Sequence, residues 1–199
     1  MNHSLRRRLR DDARGVTVIE FAMVMPVMLL LMMGLGDLGY KVYVESILVG
    51  AIQKSGRDAT IQGAGGRLAD LDSAVIDAVR DVAPSARYLS SRKNYAKFGN
   101  ISPEYFTDTN GNDVYDAASE CFVDVNGNGI WDADPGVAGQ GGASDVTVYT
   151  ITISYPRLFP MYGFLGWSPV DTASATTILK NQPYASQNAF APQSVCPRR

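Results

Sequence analysis

Hydrophobic side chains are concentrated near the start of the chain in one nearly continuous run. Residues 16–36 read VTVIEFAMVMPVMLLLMMGLG and hold sixteen hydrophobic residues and a single charge, Glu20. At about 1.5 Å per helical residue the run is roughly 31 Å long, which matches the hydrocarbon core of a bilayer. The pattern therefore predicts a membrane-spanning helix. Helical spacing of apolar residues continues to about Arg57, so we expect the helix to extend beyond the membrane.

The hydrophobic period changes along the rest of the chain. After a break at Gly63–Gly66, a stripe with helical spacing predicts a second helix that ends before Pro84; its members are Leu68, Leu71, Val75, Val79 and Val82. Segments 86–93, 146–155 and 172–180 then have the pattern of strands, and the second alternates most clearly. Helices followed by antiparallel strands predict an α+β fold, with a long N-terminal helix packed on a small antiparallel sheet.

Composition changes this picture mainly through its uneven distribution. The 199 residues are 46% hydrophobic and 19% charged, with a net charge of −2, which argues against a disordered chain or a polybasic nucleic-acid binder. Residues 1–15, however, hold five arginines, two aspartates and the single histidine, His3. The positive-inside rule then predicts a cytoplasmic leader, with the remainder of the chain on the other side of the membrane. A cleavable secretory signal, the alternative, calls for a shorter apolar core and an A-x-A-like site.

Glu20 is the unusual residue of the apolar run. A carboxylate costs about 2.5–3.5 kcal/mol at mid-bilayer and less near an interface, so Glu20 either reaches headgroup water or has a function. Gly15 ends the charged stretch, Val16 begins the run, and Phe21 follows Glu20. This junction resembles the processing site of type IV prepilins and of the Flp/Tad pilin branch.

A longer stretch narrows the resemblance. The sequence ARGVTVIEFAMVMPVMLLLMMGLGDLG is similar to the opening of TadE/TadG-like pilus-assembly proteins, and TASATTILKNQPY resembles their last strand and tail. The resemblance implies a pilin-like architecture and a role as a minor pseudopilin. It divides the chain into a cleaved leader (1–15), a membrane and extended helix (16–60) and an extracytoplasmic domain (61–199).

The resemblance also implies partners and a location. A prepilin peptidase would cut between Gly15 and Val16, which changes the net charge from −2 to −5. Glu20 and Phe21 would then serve assembly, with the Glu20 carboxylate paired with the Val16 amine of a neighbouring subunit. The expected partners are other pilin and pseudopilin subunits, the pilus assembly platform and the inner membrane, with no nucleic acid. The domain would be periplasmic, or extracellular if the protein enters the pilus.

Residues 104–134 contain a duplication with a period of 16. EYFTDTNGNDVYDAAS is followed directly by ECFVDVNGNGIWDADP. Each copy contains D-x-N-x-N-x-x-x-D, which places oxygen side chains at positions 1, 3, 5 and 9 of a loop, as in the first part of an EF-hand-type calcium loop. The candidate ligands are Asp108, Asn110, Asn112, Asp116, Glu120, Asp124, Asn126, Asn128 and Asp132.

Two departures from a calcium loop weaken this assignment. Position 6 is Asp113 in the first copy, where glycine is usual, and neither copy has a glutamate at position 12. Glu120, Asp134 or a residue of the other copy would have to complete the ligand shell. The alternative is that Asn-Gly-Asn simply forms turns, because Asn and Gly tolerate positive φ and Asn side chains bond the local backbone.

Cys121 and Cys196 are the two cysteines. In an oxidising compartment they predict a disulfide that ties the repeat to the C-terminal tail, and two free thiols are the alternative. The aromatic-rich segment YPRLFPMYGFLGWSP (155–169) is either a hydrophobic loop that closes one end of the core or a docking patch for the membrane or another subunit.

The sequence does not predict an enzyme. Cleavage after Gly15 would remove His3, and with it any histidine-dependent catalysis or zinc ligation. Two hypotheses remain: a processed pseudopilin, and an uncleaved, membrane-anchored calcium-binding module for adhesion or interaction.

Overall fold

The computed structural model describes residues 16–60, 67–183 and 190–197. The predicted long helix is confirmed as α1, Val16–Ala59, which continues through Pro26. The second helix is α2, Leu68–Arg80; Val75 and Val79 of the predicted stripe are buried, together with the neighbouring Ile76. The predicted break at Gly63–Gly66 lies outside the described residues.

The strands form two antiparallel groups. The strands are β1 Arg87–Tyr95, β2 Phe122–Asp124, β3 Val137–Ala138, β4 Val146–Pro156, β5 Val170–Lys180 and β6 Gln193–Val195. A four-stranded sheet has the order β3-β1-β4-β5, and a two-stranded ribbon joins β2 to β6. A 3₁₀ turn, Phe98–Asn100, follows β1, and a one-turn helix α3, Tyr162–Leu165, lies between β4 and β5.

The clearest predicted strand, 146–155, is the centre of the sheet. β1 runs antiparallel to β4 from the pair Arg87–Ser154 to the pair Tyr95–Val146. The predicted alternation is confirmed, because one face of β4 is buried; its members are Tyr149, Ile151, Ile153 and Tyr155. On the other face, hydroxyl pairs link β4 to β5, such as Thr150–Thr176 at 2.9 Å.

The core of the domain forms where the helices cover this sheet. Val44, Leu48 and Ile52, in the second half of α1, are fully buried. A Cβ placed on Gly56 would lie 2.6 Å from Leu179 Cδ1 and 2.9 Å from Thr177 Cγ2, so α1 approaches β5 too closely for a larger residue. The expected α+β architecture, a helix packed on a small antiparallel sheet, is confirmed.

A buried ion pair joins α2 to the sheet. Arg92 binds Asp72 through two nitrogens, at 2.5 and 3.0 Å, and Tyr149 and Ser90 donate to the same carboxylate. Burial alone would raise the pKa of Asp72, but the hydrogen bonds from Arg92, Tyr149 and Ser90, with the charge of Arg92, lower it. Burial and donation to Asp72 raise the pKa of Tyr149.

The chain divides into two compact units. One contains residues 16–43 and 156–171 of the described chain, and the other contains residues 44–155 and 172–197. Segment 156–171 belongs with the first half of α1 because hydrogen bonds and ion pairs connect them, for example Arg157 to Asp37 at 2.6 Å.

Candidate functional site

The first turns of α1, residues 17–32, present an exposed apolar surface. Glu20 is exposed, and so are its neighbours Ile19 and Phe21, at 59% and 61%. Val16 is the first residue of the helix, whereas Gly15 and the leader lie outside the described residues.

Within the described chain, α1 is the one helix long and apolar enough to cross a membrane. None of its most apolar 18-residue window is buried inside the fold. A helix with this surface anchors the protein in a membrane, since water would otherwise contact a continuous apolar face.

The duplicated sequence folds as a pair of loops related by an approximate two-fold axis. Phe106 and Phe122, which are equivalent in the two copies, pair with each other in an antiparallel bridge. Around this pair Thr107 N donates to Cys121 O at 2.8 Å, and Val123 N donates to Tyr105 O at 2.8 Å. The two copies therefore form one structural unit.

Aromatic side chains fill the space between the copies. Tyr115 and Trp131, again equivalent, stack with ring centroids 5.1 Å apart and planes inclined by 22°. Phe106 meets both rings edge-on. The repeat therefore has a small aromatic core of its own.

Each loop is wound around its first aspartate. Asp108 accepts the N–H groups of Asn110, Gly111 and Asp113 at 3.2, 2.7 and 2.9 Å. In the second copy Asp124 accepts the equivalent groups of Asn126, Gly127 and Gly129 at 3.2, 2.6 and 2.8 Å. The hydrogen bonds from Asp113 and then Gly111 lower the pKa of Asp108, so that carboxylate is anionic at neutral pH.

Backbone conformation explains the glycines of the loops. Gly111 and Gly127 have φ of 73° and 81°, a region that disfavours larger side chains. At position 6 the second copy has Gly129 at φ 76°, whereas the first has Asp113 at φ 57°. The departure noted in the sequence thus leaves the loop conformation unchanged.

The asparagine amides converge on the last aspartate of each loop. Asn110 and Asn112 donate to Asp116 Oδ2 at 2.6 and 3.3 Å. The second copy repeats this arrangement: Asn126 and Asn128 donate to Asp132 Oδ2 at 2.9 and 2.6 Å. The structure thus brings together the four predicted oxygen-bearing side chains of each loop.

Two buried glutamates cap the loops. Glu120 accepts from the N–H groups of Thr109 and Asp116 at 2.8 and 3.0 Å. Glu104 accepts from the N–H groups of Val125 and Asp132 at 2.8 and 3.0 Å. Glu120 therefore caps the first loop, which lies just before it in the chain. Glu104 caps the second loop, which lies about 20 to 28 residues after it.

The candidate ligands predicted from the sequence do not include Glu104, although the repeat carries a signal for it. Glu104 and Glu120 are equivalent in the repeat, and both are almost completely buried, at 3% and 0% exposure. A glutamate repeated at the same position predicts the same role in both copies. Local spacing hid the relationship because Glu104 serves the loop of the other copy.

The donor chemistry of the loops is compatible with a hard cation. Each loop contributes two carboxylates and two amide groups, the ligand types that Ca²⁺ accepts. Among the described residues, no group of three or more His, Cys, Asp and Glu side chains is placed to hold a metal ion. A cation would therefore depend on amide and backbone oxygens in addition to Asp108 and Asp116, or Asp124 and Asp132.

The C-terminal tail closes over the second copy. The predicted disulfide is confirmed between Cys121 and Cys196, and β6 pairs with β2 from Phe122–Val195 to Asp124–Gln193. The ring of Phe190 lies against Gly127, where a Cβ would approach it to 2.7 Å. The tail and the repeat are thus joined covalently and by a β-ribbon.

Comparison with known proteins identifies the N-terminal segment. Residues 15–57 match the family model of TadE-like proteins, which covers α1 almost entirely and begins at Gly15. No curated protein and no solved structure matches the chain. Residues 15–57 of the chain are therefore similar to TadE-like proteins, and this similarity points to an association with the Tad pilus system.

Proposed function

We propose that this protein is a minor pseudopilin of a Tad-type system, cleaved after Gly15 by a prepilin peptidase and assembled through α1. The observation that carries the proposal is the exposed Glu20 near the start of an unburied apolar helix, inside the segment that matches TadE-like proteins. The partners are the other pilin and pseudopilin subunits and the assembly platform at the inner membrane.

The chemistry of the junction supports this role. Cleavage exposes an amine on Val16 and removes the five arginines that hold the N-terminus at the cytoplasmic face. In a bundle of α1 helices the Glu20 carboxylate needs a buried positive partner, and the Val16 amine of a neighbouring subunit provides one. Such a pair would also fix the axial register between subunits, because apolar side chains alone specify it weakly.

The mature N-terminus tests the proposal directly. The full chain is produced in cells with an active prepilin peptidase and with an inactive one, and its intact mass is measured. We expect a chain that begins at Val16 only where the peptidase is active. A chain that retains Met1 in both cells would contradict the proposal.

The duplicated loops favour a second candidate function, a membrane-anchored calcium-binding module for adhesion or interaction. Calcium would be held by the carboxylates and amides at positions 1, 3, 5 and 9, and it would supply charge neutralisation to loops rich in acidic groups. The residues concerned are Asp108, Asn110, Asn112 and Asp116 in the first loop and Asp124, Asn126, Asn128 and Asp132 in the second.

The two candidate functions differ in whether the chain is cleaved after Gly15, and calcium binding is compatible with both. A processed pseudopilin starts at Val16, whereas an uncleaved module keeps the arginine-rich leader as part of its anchor. Calcium binding by a cleaved chain would make the metal a structural element of the pseudopilin.

A further inference from the structure

The segment between β4 and β5, residues 157–169, exposes an unusual amount of apolar surface. Phe164 is 84% exposed, Leu158 56% and Trp167 50%. We call these residues the apolar hairpin. These three side chains point outward, whereas Met161 of the same segment is buried.

Ion pairs fasten the apolar hairpin to α1. Arg157 Nη1 lies 2.6 Å from Asp37 Oδ2 and 3.3 Å from Asp171 Oδ2. Lys41 Nζ lies 3.3 Å from Asp171 Oδ1. Asp37 directly follows Gly36, the last residue of the apolar run, so the four charges lie close to the point on α1 where that run ends.

The hairpin extends from these charges back along the apolar helix. A Cβ on Gly36 would meet the ring of Phe159 at 2.7 Å, and one on Gly34 would lie 3.5 Å from Met161 Cε. Between the hairpin and α1 lies an apolar groove of about 780 Å³, whose walls include Val27, Leu31, Leu35, Leu165 and Trp167. Val27 is about 14 Å below Gly36 along the helix, well within the membrane span.

We propose that the apolar hairpin inserts into the leaflet at the C-terminal end of the membrane span, where phospholipid acyl chains occupy its groove. The groove is continuous with the lipid-facing surface of the membrane-spanning part of α1. Acyl chains that contact this surface of α1 can therefore also fill the groove. Arg157 and Lys41 lie at headgroup level, where long basic side chains reach polar surroundings, and Trp167 lies at the interface that tryptophan favours. The inference rests on the membrane anchoring by α1 and is independent of a pilus role.

Site-specific photocrosslinking of the full chain in phosphatidylethanolamine–phosphatidylglycerol vesicles tests this inference. Benzoylphenylalanine replaces one residue at a time: Phe164 in the hairpin, Met23 in α1 as the lipid-facing reference, and Tyr105 in the repeat as the aqueous reference. Met23 is 74% exposed and Tyr105 73%, so the three positions are comparable in access. Mass spectrometry then counts the phospholipid and protein adducts.

We expect Phe164→benzoylphenylalanine to give at least half the lipid adduct of position 23 and at least tenfold more than position 105. Lipid adducts at position 23 without any at position 164 would overturn the inference while anchoring by α1 stands. Their absence at both positions would overturn the inference and the anchoring together. Adducts from position 164 mainly to a second protein chain would also overturn it, in favour of subunit docking, as would equal lipid adducts at positions 105 and 164.

A second measurement uses the native tryptophans. In Trp131→Phe the remaining tryptophan is Trp167, and in Trp167→Phe it is Trp131, which lies in the repeat. Lipids with a nitroxide on the upper acyl chain should quench Trp167 fluorescence at least threefold more strongly than Trp131 fluorescence. Equal quenching of the two would contradict the insertion.

Discussion

Phe106 and Phe122 pair with each other in an antiparallel bridge although they occupy the same position in the two copies of the repeat. Residues that pair in this way lie beside an approximate two-fold axis, so each group of one loop has a counterpart in the other. The hydrogen bonds of Asp108, Asn110, Asn112 and Glu120 recur at Asp124, Asn126, Asn128 and Glu104. We therefore expect equivalent substitutions in the two loops to change stability by similar amounts, and we expect both loops to bind the same kind of ligand.

The two-fold relationship predicts that Glu104→Gln and Glu120→Gln destabilise the protein by similar amounts. Each substitution replaces a buried acceptor oxygen with an amide that faces a backbone N–H, which costs about 1–3 kcal/mol. Urea denaturation of the full chain in detergent measures the change. Glu45→Gln, on a partly exposed helix surface, is the control and should change stability by less than about 0.5 kcal/mol. A loss confined to one of the two buried sites would contradict the shared architecture.

Calcium binding by the loops predicts a thermal midpoint that depends on the metal. Ligand at 100 times its dissociation constant stabilises the folded state by about 2.7 kcal/mol for one site. We expect a higher midpoint in excess calcium than in chelator, and the double variant Asp116→Asn, Asp132→Asn should abolish the difference. Magnesium at the same concentration controls for ionic strength. An unchanged midpoint in the unsubstituted protein would contradict the calcium proposal.

Much of the fold follows from local patterns, whereas the contacts that organise the sites do not. The long apolar run and the alternation at Tyr149–Tyr155 predict α1 and β4 because burial of one face fixes each period. The residues next to Glu104 do not indicate its role, because its partners Val125 and Asp132 are far away in sequence, and only its equivalence to Glu120 in the repeat does. The pairing of Arg157 with Asp37 bridges 120 positions, and no periodicity signals it.

The buried Asp72–Arg92 pair predicts a specific acid sensitivity. Since the pKa of Asp72 in the folded state is below its ordinary value of 3.8, this group stabilises the fold above that pH. The stabilisation is lost as the pH falls through the folded-state pKa. Asp72→Asn should cost about 3–5 kcal/mol at pH 7, because it leaves the Arg92 charge buried without its partner. Its stability should also decline less steeply than that of the unsubstituted protein below about pH 4.

The control for this measurement lies on the same helix. Asp77 is exposed and its contact with Arg80 is 3.8 Å, so Asp77→Asn should change stability by less than about 0.5 kcal/mol and keep the original acid response. Urea midpoints between pH 3 and pH 7 give both quantities. Parallel pH profiles for Asp72→Asn and the unsubstituted protein would show that Asp72 does not carry the acid sensitivity.

Two glycines of α1 should respond oppositely to alanine. Nothing lies within 4 Å of a Cβ at Gly50, so Gly50→Ala should stabilise the helix by up to about 1 kcal/mol. At Gly56 the new methyl would meet Leu179 Cδ1 and the stiff Thr177 side chain, and overpacking costs about 1–3 kcal/mol. Gly56→Ala should therefore be less stable than Gly50→Ala in urea denaturation. Equal gains at both positions would mean that the helix does not approach β5 closely.

The pseudopilin proposal predicts that Glu20→Ala separates membrane insertion from assembly. The substitution removes a charge from an apolar helix, so insertion should be unchanged or improved. Without the carboxylate, the Val16 amine of a neighbouring subunit has no counter-charge in the helix bundle, and incorporation into pilus-associated assemblies should fall at least tenfold. Co-purification of the variant with pilin subunits, normalised to its amount in the membrane fraction, measures this ratio. Glu45→Ala, farther along α1, controls for loss of a carboxylate elsewhere on the helix. If Glu20→Ala co-purifies with pilin subunits at the same normalised ratio as the unsubstituted protein, the pairing role of Glu20 is contradicted. That result would favour the uncleaved, membrane-anchored module.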